Sequence, residues 1–168
     1  VSCFGSRGIG QLGGGQFGHH DTPAQIGNDG WLTVAGWQHG GCAVKTDNTL
    51  WCWGSNLYGT LGVGANHPNT QAPVVVGGAG WQQIDVASAH TCGVAAGAAY
   101  CWGAGGSGRL GLGNNSSYDT PQQVGTGTGF SRITTASLHT CGIDGGELYC
   151  WGEGSLGRLG IGTTTDEN

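Results

Sequence analysis

One block recurs along this chain in unbroken register. Residues 141–162 read CGIDGGELYCWGEGSLGRLGIG, and earlier copies stand at 92–113 (CGVAAGAAYCWGAGGSGRLGLG) and 42–64 (CAVKTDNTLWCWGSNLYGTLGVG). A shortened copy, CFGSRGIGQLGGG, begins at Cys3. The second cysteine of each copy falls at Cys3, Cys52, Cys101 and Cys150, always 49 residues apart. Gly10, Gly59, Gly108 and Gly157 keep that spacing, as do Leu12, Leu61, Leu110 and Leu159. A fixed period of this length marks a repeat architecture and outranks any single motif.

The cysteines of the complete copies come in pairs: Cys42 with Cys52, Cys92 with Cys101, and Cys141 with Cys150. In the last, Gly145-Gly146 supplies the two positive-φ residues of a tight hairpin. Pairing outward matches Asp144 with Glu147, Ile143 with Leu148, Gly142 with Tyr149 and Cys141 with Cys150. The cysteines then oppose each other at a non-hydrogen-bonded position, where side chains approach closest and a disulfide fits. Ala96-Gly97 gives the same register for Cys92 and Cys101. The first pair is one residue longer and needs a three-residue loop around Asp47. Each bridge contributes about 2–3 kcal/mol if unstrained, offsetting part of the entropy cost of so much glycine. Zinc is a poorer reading, because separations of nine and ten are not the ligand spacing of a zinc site. Free buried cysteine is poorer too, since the pairing recurs in every complete copy. Disulfides persist outside the reducing cytosol, so a secreted or cell-surface location is expected. Cys3 has no upstream partner here, and its partner is expected on a strand supplied by preceding sequence or by another chain.

Composition removes several function classes. Charged residues are 9% of the chain, against roughly 25% in ordinary soluble domains. With five Lys and Arg and a net charge of −5 there is no clustered basic surface for nucleic acid. No apolar run approaches the roughly 20 residues that span a bilayer, so membrane insertion is not expected. The 38 glycines follow no G-X-Y period and sit at fixed repeat positions, which excludes collagen and argues against a disordered tract. With no initial Met and no signal peptide, the chain is expected to be a processed product or part of a longer one.

Between the cysteine blocks the order also repeats. Residues 1–21 are the second half of a repeat, with Phe4-Gly5 where later copies have Trp-Gly and a polar connector containing His19 and His20. Complete repeats follow at 22–70, 71–119 and 120–168. A proline (Pro23, Pro73, Pro121) precedes a short strand (AQI, VVVG, QQVG), then a glycine-rich turn and an aromatic (Trp31, Trp81, Phe130). LTVAG, QQIDVAS and SRITTAS alternate as half-buried strands. His39, His90 and His139 come next, before the hairpin. Four short antiparallel strands per repeat, with no amphipathic helix, is an all-β pattern of propeller blades.

The proline start, the GW or GF, VAxxHTCxV, LYCWG and xGxLGxG resemble the regulator of chromosome condensation (RCC1-like) family of seven-bladed propellers, in its disulfide-bearing bacterial secreted form. The resemblance spans essentially the whole chain. It implies a ring of about seven repeats, of which this chain holds about 3.4. Three blades and a partial one are therefore expected, either as part of a larger ring or completed by neighbouring chains through their unpaired strand edges. A kelch propeller fits less well, because Gly40-Gly41, Gly77-Gly78 and Gly145-Gly146 fall at different phases. The exchange-factor role of the family's eukaryotic members conflicts with the cysteine pairs and the shortage of basic residues.

Candidate sites are few. Residues 103–108 match GxGxxG, but no helix follows and the other copies lack it, so the glycines are read as turn positions rather than a dinucleotide site. His39, His90 and His139 repeat once per blade and diverge around a ring, which favours structural hydrogen bonds over metal. Trp53, Trp102 and Trp151 are expected in blade packing, and the face taken by Trp51, Tyr100 and Tyr149 is left open. Trp37, aligned with Ser88 and Ser137, is expected in a loop before His39, either in ordinary packing or as an exposed contact for a protein partner or a sugar ring. Two overlapping N-x-S sequons offer Asn114 and Asn115 as glycan acceptors. No catalytic residues and no cofactor are predicted. The expected function is a non-enzymatic structural or protein-binding scaffold, with further copies of itself or another protein as partner, and carbohydrate binding as the alternative.

Overall fold

The computed structural model describes residues 2–5, 10–15, 20–65 and 67–168. Its order is β1 (Ser2–Gly5), β2 (His20–Gln25), β3 (Trp31–Trp37), β4 (Gly40–Lys45), β5 (Leu50–Gly54), β6 (Thr70–Val76), β7 (Trp81–Val86), β8 (His90–Ala95), β9 (Ala98–Gly103), β10 (Tyr118–Gln123), β11 (Phe130–Thr135), β12 (His139–Asp144) and β13 (Glu147–Gly152). A single 3-10 turn follows β5, β9 and β13, at Leu57–Gly59, Gly106–Gly108 and Ser155–Gly157. All sheet pairing is antiparallel.

The strands form separate sheets: β3-β4-β5-β6 (first blade), β7-β8-β9-β10 (second), β11-β12-β13 (third) and a β1-β2 half-blade. Blades meet along their first strands, β3 on β7 and β7 on β11. The proline-bearing strand is the outermost and pairs with the hairpin before it, so each sheet is offset by one strand from the sequence repeat. An edge position suits it, because proline has no N–H for a second neighbour. Gly152 and Glu167 form an isolated bridge at the place where Gly103 pairs with Tyr118 one repeat earlier.

The hairpins take the register their sequence demands. Asp144 faces Glu147 and Cys141 faces Cys150, with Gly145 and Gly146 at φ +58° and +93°. Ala96 and Gly97, at +50° and +80°, turn the second hairpin. The longer first hairpin closes through residues 46–48, with Asn48 at φ +64° and Thr49 held by Asp47 Oδ1 at 3.0 Å. Disulfides Cys42–Cys52, Cys92–Cys101 and Cys141–Cys150 join the strands. The first two lie fully buried inside clusters with Val44, Leu50, Val94 and Ala99.

The glycine after each Trp is obligatory on two counts. Gly103 has φ +102°, and a Cβ there would stand 2.8 Å from the Cα of His90. Any side chain would force the hairpin strands apart at the point where β8 enters the sheet.

Candidate functional site

The glycine-leucine loop is the joint between blades. After β5 the chain makes its 3-10 turn and buries Leu61, as Leu110 and Leu159 are buried in later copies. The loop then lies beneath a Trp of the next blade. Trp102 Nε1 donates to Thr60 O at 3.0 Å, as Trp53 Nε1 does to Gln11 O. Gly62, at φ +74°, lies so near the Trp102 indole that a Cβ would approach it to 2.7 Å. Gly111 bears the same relation to Trp151, and Gly13 to Trp53. A hydroxyl also donates to the loop carbonyl, Thr91 Oγ1 to Thr60 O at 2.8 Å and Thr140 Oγ1 to Arg109 O at 2.9 Å, although in the latter joint the buried Trp151 Nε1 makes no bond of its own.

The histidines complete this joint only between the second and third blades. His90 Nε2 lies 2.9 Å from Thr140 Oγ1. The Thr140 proton goes to Arg109 O, so His90 Nε2 must donate, which leaves Nδ1 bare and buried without a partner. Burial first, then the charges of Arg109 and His139, hold the His90 pKa down at about 3. The His139 pKa is also lowered, by burial and by Arg158. His39 is not equivalent to these two. Gly40 pairs with Gly54 where His90 pairs with Gly103 and His139 with Gly152. The longer first hairpin block shifted the alignment by one residue, and His39 stands in the turn before β4.

Trp37 is corrected by the same register. Its equivalents are Ala87 and Ala136, not the neighbouring serines, and it is the last residue of β3 rather than a loop residue. Its half-buried ring packs on the first-blade core and covers Gly40, where a Cβ would meet it at 2.6 Å. Trp37 thus fills the space that a histidine side chain takes in the other blades, which is the packing reading of this residue. Trp51 is half-buried, and the ammonium of Lys45 stands over its ring, 4.1 Å from the centroid.

The remaining sequence candidates find ordinary places. In the GxGxxG stretch, Gly103 ends β9 and Gly106–Gly108 is a single 3-10 turn, with no helix for a phosphate. Asn114 is engaged, donating from Nδ2 to Leu112 O at 3.0 Å and accepting from Ser116 N at 2.8 Å, whereas Asn115 is exposed. Cys3 is half-buried beside Ile26, Ala43 and Trp53, and burial raises its thiol pKa. The side chains of Phe4 and His20, and all of His19, lie outside the described residues. Among the described residues no three His, Cys, Asp or Glu side chains converge as a metal site, and no helix is long and apolar enough to cross a membrane.

What the loops expose is apolar. Tyr58, Ser107 and Leu156 occupy one repeat position, the middle of each 3-10 turn, and all have positive φ (+64°, +57° and +61°). A left-handed backbone is unfavourable for a bulky residue. Yet Leu156 is 93% exposed, Tyr58 56% and the adjacent Leu57 61%. Shallow depressions flank the first turn, one lined by His39, Asn56, His67 and Pro68, the other by Tyr58, Ala65, Tyr118 and Asp119. Guanidiniums border the later turns. Arg109 donates from Nη1 to Ser137 O across the joint at 3.2 Å, and Arg158 pairs with Glu153 at 2.7 Å. None of these turn residues stood out in the sequence, although their phase, one residue before Gly59, Gly108 and Gly157, was visible.

Known proteins share this arrangement. Residues 96–143 match the regulator of chromosome condensation (RCC1) repeat, and residues 33–60 match a second model of that repeat. No curated protein sequence matches the chain. Among solved structures, human WBSCR16 superposes with a TM-score of 0.86 at 24% identity over 99% of this chain and 46% of its own. Prp20p of Saccharomyces cerevisiae gives 0.81 at 19% identity over 99% and 44%. Yeast RCC1 (Prp20), in its crystal structure with Kap60, gives 0.82 at 19% over 99% and 43%. The chain spans less than half the length of each. At these identities the likeness concerns fold, and with the repeat matches it gives the assignment: residues 33–60 and 96–143 are RCC1-type repeats, and the chain folds as consecutive blades of a β-propeller.

Proposed function

We propose that these blades form a protein-binding scaffold, without catalysis, that works outside the reducing cytosol. Its contact surface is the face that carries the 3-10 turns. The observation that carries the reading is the set of apolar side chains held outward on left-handed backbone at Tyr58 and Leu156, with Leu57 beside them. Strain and solvent exposure both cost free energy, and a partner that covers these tips offsets the second. The repeated polar groups, by contrast, are consumed in joining blades. The titles of two yeast structures support the class of partner: Prp20p is described with binding properties to Gsp1p and histones, and yeast RCC1 is bound to Kap60. Three hairpin disulfides support the compartment.

The test uses the oxidised chain as bait in the extracellular fraction of its source, followed by purification of the captured protein. That protein should bind the Tyr58→Ser/Leu156→Ser variant about 10-fold or more weakly, as loss of central apolar contacts requires. Unchanged affinity would rule out the turn face. A partner found only in cytosolic extract would rule out the compartment.

A further inference from the structure

A groove recurs on each blade, between the turn that enters the first strand and the tip of the hairpin. In the first blade it is lined by Gln25, Asp29, Trp31, Lys45, Trp51 and Pro73, with a volume of about 410 Å³. In the second it is about 210 Å³ and holds Trp81, Ala95, Tyr100 and Pro121. In the third it holds Phe130, Asp144 and Tyr149. The aromatic pair is common to all three. The residue that follows the fifth of each hairpin's first strand changes from Lys45 to Ala95 to Asp144, opposite Trp31, Trp81 and Phe130.

Only the first groove combines both charges with two indoles. Lys45 Nζ lies 2.7 Å from Asp29 Oδ2, and its side chain is 17% exposed while that of Asp29 is 59% exposed. The ammonium stands 4.1 Å from the Trp51 centroid and 5.4 Å from that of Trp31. Asp29 is the one acceptor it meets among the described residues, so two of its three N–H groups face rings or groove. The indole N–H groups are already committed, Trp31 to Ile26 O and Trp51 to Thr49 Oγ1, which fixes both rings. In the second blade the equivalent aromatics pack on each other instead, Trp81 edge-on to Tyr100 at 5.6 Å.

We infer that the first-blade groove is a saccharide site. An ammonium and a carboxylate side by side match a vicinal diol, one hydroxyl accepting from Lys45 and its neighbour donating to Asp29. The Trp31 indole, farther from the ammonium than Trp51, gives apolar surface to the C–H groups of a pyranose ring, and Gln25 stands at the rim for a further hydroxyl. The inference is independent of the protein-binding reading, because the groove lies at the hairpin tip and the 3-10 turn follows the opposite end of the hairpin.

The experiment follows indole N–H resonances of the oxidised chain during titration with neutral tetrasaccharides of glucose, mannose and N-acetylglucosamine. At least one should shift the Trp31 and Trp51 signals. Lys45→Ala, the residue of the second blade, should weaken that binding by about 10-fold, the loss of a charge-assisted hydrogen bond. Asp29→Asn should weaken it too, while Tyr149→Ala in the third groove should leave it unchanged. A folded Lys45→Ala protein with undiminished affinity would overturn the assignment. So would a panel in which no saccharide moves either signal, or a groove whose sole ligand is a protein.

Discussion

The two joints between complete blades share one socket and differ in how they are stitched. Between the first and second blades, Thr60 O accepts from Trp102 and Thr91, the backbone adds Trp81 N to Asn48 O at 3.1 Å and Gly64 N to Asp119 O at 2.9 Å, and the side chains between them form an apolar cluster. Gly40 stands where a histidine would reach Thr91, and Trp37 fills the space. Between the second and third blades, His90 reaches Thr140, and β7 sends two further side chains across. Gln83 exchanges both amide bonds with the backbone of Ile133, and Asp85 Oδ2 accepts from Thr134 and Thr135. The equivalents of Gln83 and Asp85 in the first blade, Thr33 and Ala35, cannot make those bonds. One backbone joint therefore tolerates two side-chain solutions: apolar filling, which is insensitive to pH, and a polar network, which is not.

Removing the shared socket should have the largest effect. Trp102→Ala empties a fully buried ring site and should cost about 3–5 kcal/mol, read as a lowered urea midpoint. Acid should then separate the two joints. The folded-state pKa of His90, about 3, lies below its unfolded value near 6.5, so its contribution is fully present above the unfolded value. It is lost as pH falls from there toward the folded value, by about 1.4 kcal/mol per unit. Hydrogen exchange at pH 7 and pH 4 should show the second joint loosening first, and His90→Gln should flatten the dependence. Equal acid sensitivity at both joints would remove the distinction. Asp85→Ala should cost about 1 kcal/mol and act on the second joint alone. Glu153→Gln breaks a partly exposed ion pair and should cost less than about 1 kcal/mol, falling further in high salt.

Much of this architecture was written in the sequence because glycine, cysteine and tryptophan leave few choices. Gly145-Gly146 fixes a tight turn, the turn fixes the register, and the register places Cys141 against Cys150. What escaped was relational. Gly40 and Trp37 exchange volume across a strand, and a one-residue difference in hairpin length disguised which residue stands opposite Gly54. The sheet offset escaped because strand order in a repeat does not reveal which neighbour a strand joins. Lys45 between Trp31 and Trp51 was hidden because it departs from the repeat rather than keeping it. A search for conserved phase passes over the positions where blades differ, and those differences are where specific chemistry sits. Tyr58 and Leu156 kept phase, but nothing in their identity signals a left-handed backbone.

The most direct measurement is peptide mapping of the native, non-reduced protein. Disulfide-linked peptides should join Cys42 to Cys52, Cys92 to Cys101 and Cys141 to Cys150, each within its own hairpin. Free thiols at Cys92 and Cys101, or links between blades, would contradict a propeller whose hairpins are each stapled by their own disulfide.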